Sequence, residues 1–252
     1  MFITGASSGL GAALTQHYAQ GKVVLGLVAR RGELLEQIAA GLPCACHLYP
    51  LDVGDAAALK MAANDFIARA GLPDIVIANA GVSRGTLTEE SADLPAFARV
   101  LEINLLGMLN TFHPFVAAMR TAKRGRLVGI ASVAGIRGIP GAGAYCASKA
   151  AVISYLESLR VELHGSGVTV STIVPGYIAT PMTDVNTYAM PFILPADEAA
   201  RRIARNIARG SRYAVVPWQM AIAAKLLRLM PIALFDRLFF SHAGRKSRNL
   251  PL

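Results

Sequence analysis

Tyr145 and Lys149 lie four residues apart in Ala144–Gly165, a stretch whose apolar spacing predicts a helix, so both side chains share one face a turn apart. A phenol ordinarily holds its proton up to a pH of about 10, and a nearby ammonium stabilises the phenolate and lowers that value. Such a pair can give a proton to a developing alkoxide or take one from an alcohol. Ser132, thirteen residues earlier at the end of a predicted strand, adds a hydroxyl for the same substrate oxygen. Tyr and Lys at this spacing are frequent by chance and ordinarily decorate a surface. The elements around them therefore have to decide the matter.

Those elements alternate. Apolar runs at Met1–Thr4, Val23–Ala29, Cys44–Leu51, Asp74–Asn79, Arg126–Ser132, Val168–Val174 and Tyr213–Pro217 read as strands. Amphipathic stretches at Leu10–Gln20, Gly32–Ala40, Ala56–Ala70, Leu94–Met119, Ala144–Gly165 and Ala196–Ala208 read as the helices between them. Strands that are apolar almost throughout belong in a parallel sheet covered on both faces, and right-handed crossovers make it a doubly wound, Rossmann-type α/β sheet. No repeat or low-complexity linker interrupts the 252 residues, which suit one such domain over 1–217 and an extension over 218–252.

Directly after the first strand comes Thr4-Gly5-Ala6-Ser7-Ser8-Gly9-Leu10-Gly11, which opens the first helix. Glycines there permit a tight turn and close backbone approach, and the helix N-terminus offers N–H groups to a pyrophosphate. An ordinary strand–helix turn is the competing reading. Its place on the first strand of a doubly wound sheet favours a dinucleotide.

The spacing T-G-x-x-x-G-x-G departs from the G-x-G-x-x-G of many dehydrogenases, and here the chain resembles the short-chain dehydrogenase/reductase family in its ordinary form. Further motifs match in order: Asn79-Ala80-Gly81, Asn104, Ser132, Tyr145-Cys146-Ala147-Ser148-Lys149, and Pro175-Gly176, over about residues 1–215. The resemblance implies a nicotinamide cofactor held by Gly5, Ser7, Ser8, Gly9, Leu10, Gly11, Asn79, Ala80 and Gly81, with Asp52 and Val53 at the adenine. It implies that Lys149 also holds the nicotinamide ribose beside Tyr145, and that Asn104 supports a water-linked proton relay. Pro175, Gly176, Ile178 and Thr180 would line the nicotinamide, the last two at its carboxamide. Asp52 as a helix cap stays open as an alternative.

Cofactor choice turns on the end of the second strand. An acid there would bind ribose hydroxyls and repel a 2′-phosphate, whereas this chain has Arg30 and Arg31, which can pair with that phosphate. NADP(H) is thus favoured over NAD(H), with Ser7 or Ser8 as additional phosphate contacts; the competing reading makes one arginine a solvated helix-start residue.

Composition sets the remaining bounds. Hydrophobic residues make up 54% and charged residues 16%, with mean hydropathy +0.44, so a large core forms and some apolar surface needs a cover. The net charge of +9 is concentrated late, with eleven basic residues against three acids from Asp197 onward. No nucleic-acid motif accompanies that charge. Cys44, Cys46 and Cys146 form neither a disulfide pattern nor a metal framework, and no signal peptide is visible, so a cytoplasmic, reducing location is expected.

Thr180–Pro195, rich in Pro, Thr and Met, reads as a substrate lid whose Met182, Met190, Phe192 and Ile193 suggest an apolar substrate. Trp218–Phe240 is apolar with Lys225, Arg228 and Arg237 as punctuation, and Pro231 and four charges argue against a membrane span. Three roles stay open for it: lying on an anionic membrane surface, packing on a second subunit of a homodimer or homotetramer, or closing the substrate pocket. His242 onward reads as a solvated basic tail. The expectation is a carbonyl/alcohol oxidoreductase for a small apolar substrate; the alternative is an NADP(H)-binding scaffold or sensor without turnover.

Overall fold

A computed structural model describes residues 1–186 and 188–240, so the basic tail expected from His242 lies outside the described residues. Seven parallel strands form one sheet: β1 (Phe2–Thr4), β2 (Val24–Ala29), β3 (Ala45–Pro50), β4 (Ile75–Ala78), β5 (Gly125–Ile130), β6 (Val168–Pro175) and, after two short strands, β9 (Tyr213–Val216). Their order across the sheet is β3-β2-β1-β4-β5-β6-β9. Chain direction across the sheet therefore reverses between β1 and β4, and the crevice at that point opens at the carboxyl ends of the strands.

Helices cover both faces. α1 (Gly9–Ala19), α2 (Gly32–Ala40) and α7 (Ala196–Ala208) lie on one side, around a core containing Ile3, Leu14, Leu25, Leu35, Ile77, Ile173 and Ile203. α3 (Ala56–Ala70), α5 (Gly107–Thr121) and α6 (Gly143–Glu162) lie on the other, around Phe2, Phe66, Phe112, Phe115, Leu127, Leu156 and Val170. Alternation along β1 explains the division: Phe2 and Ile3 point to opposite faces and both are fully buried. This is the doubly wound Rossmann-type fold expected.

Three local features differ from the expectation. The predicted helix Leu94–Met119 is divided into α4 (Leu94–Leu101), a π-turn (Glu102–Leu106) and α5. The π-turn carries Asn104, whose amide is fully buried and bonded to a neighbouring loop, and Gly107 follows where a Cβ would come within 2.6 Å of Val53. The fifth strand stops at Ile130, two residues short, because Ser132 caps a 3₁₀ turn (Val133–Gly135) by accepting a bond from the Ala134 N–H at 3.2 Å. Finally, β7 (Ile178–Ala179) pairs with β8 (Leu194–Pro195), which closes the base of the expected lid.

After β9 the chain forms α8 (Trp218–Leu229) and α9 (Ile232–Phe239), bent by 114° at Met230-Pro231. Pro231 cannot continue α8 and suits the start of α9. Among the described residues no single helix is long and apolar enough to cross a membrane.

Candidate active site

The glycine turn has the conformation its composition requires. Gly5 and Gly9 adopt φ of +68° and +52°, a region L side chains rarely enter. A Cβ at Gly11 would stand 2.0 Å from the Gly5 carbonyl oxygen, so α1 can start this close to β1 only with glycine there. Thr4 and Asn79 fasten the turn to β4. The Thr4 hydroxyl accepts from the N–H groups of Asn79 (3.2 Å) and Ala80 (3.3 Å), and Asn79 Nδ2 donates to the Thr4 carbonyl at 3.1 Å. Thr4 opens the T-G-x-x-x-G-x-G motif but was absent from the expected site residues.

A cavity of about 270 Å³ runs along the carboxyl edge from this turn. It is lined by Gly5, Ser7, Ser8, Gly9, Leu10, Gly11, Arg30, Arg31, Asp52, Val53, Asn79, Ala80, Gly81, Ser132, Tyr145, Lys149, Pro175, Gly176, Ile178 and Thr180. Every residue expected around a dinucleotide therefore borders one space. Val82, Ile103 and Ile130 border it too and were not anticipated, being ordinary apolar residues in sequence, and so does Met182 of the expected lid.

At one end Arg31 Nη2 donates to Ser8 Oγ at 3.0 Å and approaches Ser7 Oγ at 3.4 Å. Arg30 stands differently, 4.0 Å from Asp52 Oδ2, and the same carboxylate pairs with Arg99. Asp52 Oδ1 accepts from the Gly54 N–H at 2.8 Å. The helix cap considered for Asp52 falls instead to Asp55, which accepts from the Ala58 N–H at 2.9 Å.

At the other end lie Ser132, Tyr145 and Lys149. Ser132 and Tyr145 share a hydrogen bond, which pulls the phenol's pKa down, but burial outweighs it and holds the value above the ordinary one. Lys149 is buried, and desolvation lowers its pKa to about 8. Its Nζ donates to the Ile130 carbonyl at 2.8 Å and lies 5.8 Å from the centroid of the Tyr145 ring. Lys149 thus shares a face with Tyr145, as the spacing requires, while its ammonium donates to the end of β5. The phenol pKa is thus raised by burial, against the lowering expected from Lys149.

Asn104 is the expected residue that does not line the groove. Its Oδ1 accepts from the Val82 N–H (2.8 Å), and its Nδ2 donates to the Val82 carbonyl (3.0 Å) and to Ser148 Oγ (2.9 Å). Ser148 in turn donates to the Tyr145 carbonyl at 2.8 Å. Asn104 sits one layer behind the site: a Cβ on Gly81 would meet Asn104 Oδ1 at 3.2 Å and Lys149 Nζ at 3.5 Å.

A second cavity, of about 320 Å³, lies beyond Tyr145 and is lined by Ser132, Ala134, Ile139, Pro140, Ala142, Tyr145, Tyr177, Met182, Asn186, Tyr188 and Phe239, among others. Ser132 and Tyr145 border both cavities. One hydroxyl pair is thus shared between a long groove shaped for a dinucleotide and an apolar chamber. Tyr188 belongs to the expected lid and Phe239 to the C-terminal segment for which pocket closure was one open role, but neither they nor Tyr177 were singled out individually.

A family model described as short chain dehydrogenase matches residues 1–190. The chain belongs to the short-chain dehydrogenase/reductase family. Among its relatives is an uncharacterized oxidoreductase of Myxococcus xanthus, 36% identical over 239 residues, with 93% of each chain covered. Among solved structures, an alcohol dehydrogenase from Thermococcus sibiricus complexed with 5-hydroxy-NADP aligns at a TM-score of 0.74 and 27% identity, covering 85% of this chain and 94% of that one. A short-chain dehydrogenase/reductase from Burkholderia phymatum in complex with NAD shares the fold at a TM-score of 0.80 and 24% identity, covering 100% and 96%. The chain is an oxidoreductase of this family, whose members use nicotinamide cofactors.

Proposed function

We propose that this protein is an NADP(H)-dependent reductase or dehydrogenase that interconverts a carbonyl and an alcohol on a small apolar substrate, with Tyr145 as its proton-transfer residue. The observation that carries the reading is the sharing of Ser132 and Tyr145 between the two cavities. A substrate oxygen at that junction meets both hydroxyls, and its carbon faces the groove.

The groove suits a dinucleotide because three glycines, two with positive φ, bring backbone N–H groups and the start of α1 to its wall. Ser7, Ser8, Arg30 and Arg31 would hold a 2′-phosphate, Asp52 and Val53 the adenosine, Asn79, Ala80 and Gly81 the middle of the molecule, and Lys149, Pro175, Gly176, Ile178 and Thr180 the nicotinamide end. A bound nicotinamide supplies or accepts the hydride.

The protein's own residues manage the oxygen and its proton. Ser132 donates a hydrogen bond to the substrate oxygen and holds it against Tyr145. Tyr145 gives its proton to that oxygen during reduction and takes it back during oxidation. The Lys149 ammonium stabilises the phenolate left behind, a larger effect in this buried pocket than in water. Asn104 acts from behind by fixing Val82 and Ser148, and so the first turn of α6. An intact set of hydroxyls and ammonium at one junction argues against a scaffold without turnover.

The test is consumption of NADPH and NADH by the purified protein with hydrophobic ketones and aldehydes. Tyr145→Phe is expected to lower kcat about a hundred- to ten-thousand-fold while leaving NADPH affinity near the wild-type value. Full activity in that variant refutes the mechanism.

The outer face of α8 and α9 exposes Trp218, Ile222, Leu226, Leu229, Ile232 and Leu238, with Lys225 and Arg237 beside them. That combination supports peripheral contact of a cytoplasmic enzyme with an anionic membrane. A second copy of the chain on the same face, in a homodimer or homotetramer, is the competing outcome.

A further inference from the structure

The apolar chamber is lined in part by a residue of the C-terminal helix pair. Phe239, at the last position of α9, is the one part of that pair bordering the chamber. Its ring stacks on Phe235, with centroids 4.4 Å apart and planes at 18°. Phe235 is covered in turn by Arg137, whose guanidinium carbon stands 3.9 Å from the ring centroid.

Arg137 also reaches the end of α8. Its Nη1 donates to the Met230 carbonyl at 2.7 Å and to the Leu227 carbonyl. These carbonyls are at a helix C-terminus, where backbone acceptors lack partners and a cation is favoured. A reciprocal bond runs from Arg228 Nη1 to the Ile136 carbonyl at 3.0 Å. Arg137 follows the 3₁₀ turn that Ser132 caps, five residues along the chain. One guanidinium thus joins the segment bearing the substrate hydroxyl to both C-terminal helices.

We propose that Phe239 determines how long an apolar arm the substrate can carry beyond its reacting carbon, and that Arg137 is the positioning residue that keeps Phe239 at the end of the chamber. This rests on the reading of the chamber as the substrate's, and it deepens that reading. The carbonyl oxygen lies at Ser132 and Tyr145, the arm runs between Ile139 and Tyr188, and the Phe239 ring limits its length. The substrate class is a ketone, aldehyde or secondary alcohol bearing an unbranched or aromatic apolar arm. Arg137 acts on selectivity through the tail: without it, Phe235 loses its cover and α8 loses the donor at its end. A planar fork that stacks and donates at once cannot be replaced by an ammonium.

The experiment uses the full chain with Phe239→Ala, Phe239→Leu, Arg137→Ala and Arg137→Lys, and a homologous series of straight-chain methyl ketones. Each methylene newly accommodated is worth about fourfold in kcat/KM. Phe239→Ala is therefore expected to shift the ratio of long to short ketones at least tenfold toward the long ones, with Phe239→Leu in between. Arg137→Ala is expected to move that ratio the same way, with faster amide exchange in 218–240 and unchanged NADPH affinity; Arg137→Lys should not restore it. A general structural defect would instead change NADPH affinity and leave the ratio alone.

Displacement of an anilinonaphthalene sulfonate probe by the same ketones reads the chamber without turnover. If no ketone is reduced but displacement still shifts toward longer ketones in Phe239→Ala, the catalytic reading fails and the size limit stands. Identical length profiles in wild type and Phe239→Ala, by turnover or by displacement, overturn the proposal.

Discussion

The two arginines that follow β2 are adjacent in sequence and unequal in their surroundings, which makes cofactor preference a sharp test. Arg31 is bonded to Ser8 and lies near Ser7, so its guanidinium is held over the glycine turn by neutral partners. Arg30 stands 4.0 Å from Asp52, a carboxylate that also pairs with Arg99. A phosphate arriving there gains the full charge of Arg31 but finds the field of Arg30 partly offset. A hydrogen bond to a charged group is worth about 1.5–3 kcal/mol, roughly ten- to 150-fold in affinity. Arg31 is exposed, so screening places Arg31→Ala near the lower end, about a tenfold loss for NADPH. Arg30→Ala, acting through an exposed and already paired charge, is expected to cost about 0.2–1 kcal/mol, up to about fivefold. NADH has no 2′-phosphate and should be nearly indifferent to both. Fluorescence titration of each variant with NADPH and NADH measures all four constants, and the NADPH loss should shrink as salt rises. Equal losses for the two cofactors, or a greater loss from Arg30→Ala, would refute the phosphate assignment.

Lys149 supplies a prediction about pH. Burial holds its pKa at about 8 instead of 10.5, so between those values the unfolded chain binds more protons than the folded one. Stability contributed by this group therefore rises with pH across that window, and below pH 8 the buried charge costs up to about 3 kcal/mol. Thermal unfolding from pH 7 to 10 should show the stability of the wild type rising relative to Lys149→Met; parallel curves would contradict the burial argument. The tail supplies a second. Wild-type protein should float with vesicles containing anionic lipid, and replacing Trp218, Leu226 and Leu229 by serine should release it. Recovery as a stable dimer in solution, with no flotation in either form, would assign that face to a second copy.

The sheet and the groove were legible for the same reason. In a doubly wound fold the functional residues follow strand ends, and strand ends can be read from apolar runs punctuated by glycine, asparagine and proline. Thr4-Gly5, Asn79-Ala80-Gly81, Ser132 and Pro175-Gly176 all follow or end such runs, and parallel pairing in the observed order brings them to one edge. Arg30 and Arg31 were legible as charges at the end of β2; that Asp52 offsets one of them was not, since it depends on how β2 and β3 register, with Ala29 opposite Pro50. Asn104 shows the limit from the other side. Its type and position were readable, but the π-turn that turns its amide onto Val82 arises from a contact between segments 22 residues apart.

The chamber was legible in outline, through the lid expected over Thr180–Pro195 and the pocket-closing role left open for the tail, but the individual side chains of its wall were not. On the proposed reading the groove holds the family's nicotinamide cofactor through backbone geometry, which leaves glycines as a trace. The chamber is walled by side chains from the connections after β5 and β6 and from α9, and a phenylalanine that lines a pocket looks in sequence like one that fills a core. Arg137 carried no signal either, since its partners are backbone carbonyls about 90 residues away. What made it visible was the accounting of helix ends: the last carbonyls of α8 needed donors, and the residue that supplied one also held Phe235. If the chamber takes the substrate as proposed, its length is set here by how the tail is fastened to the segment after Ser132, and Arg137 is where selectivity should respond without loss of cofactor binding.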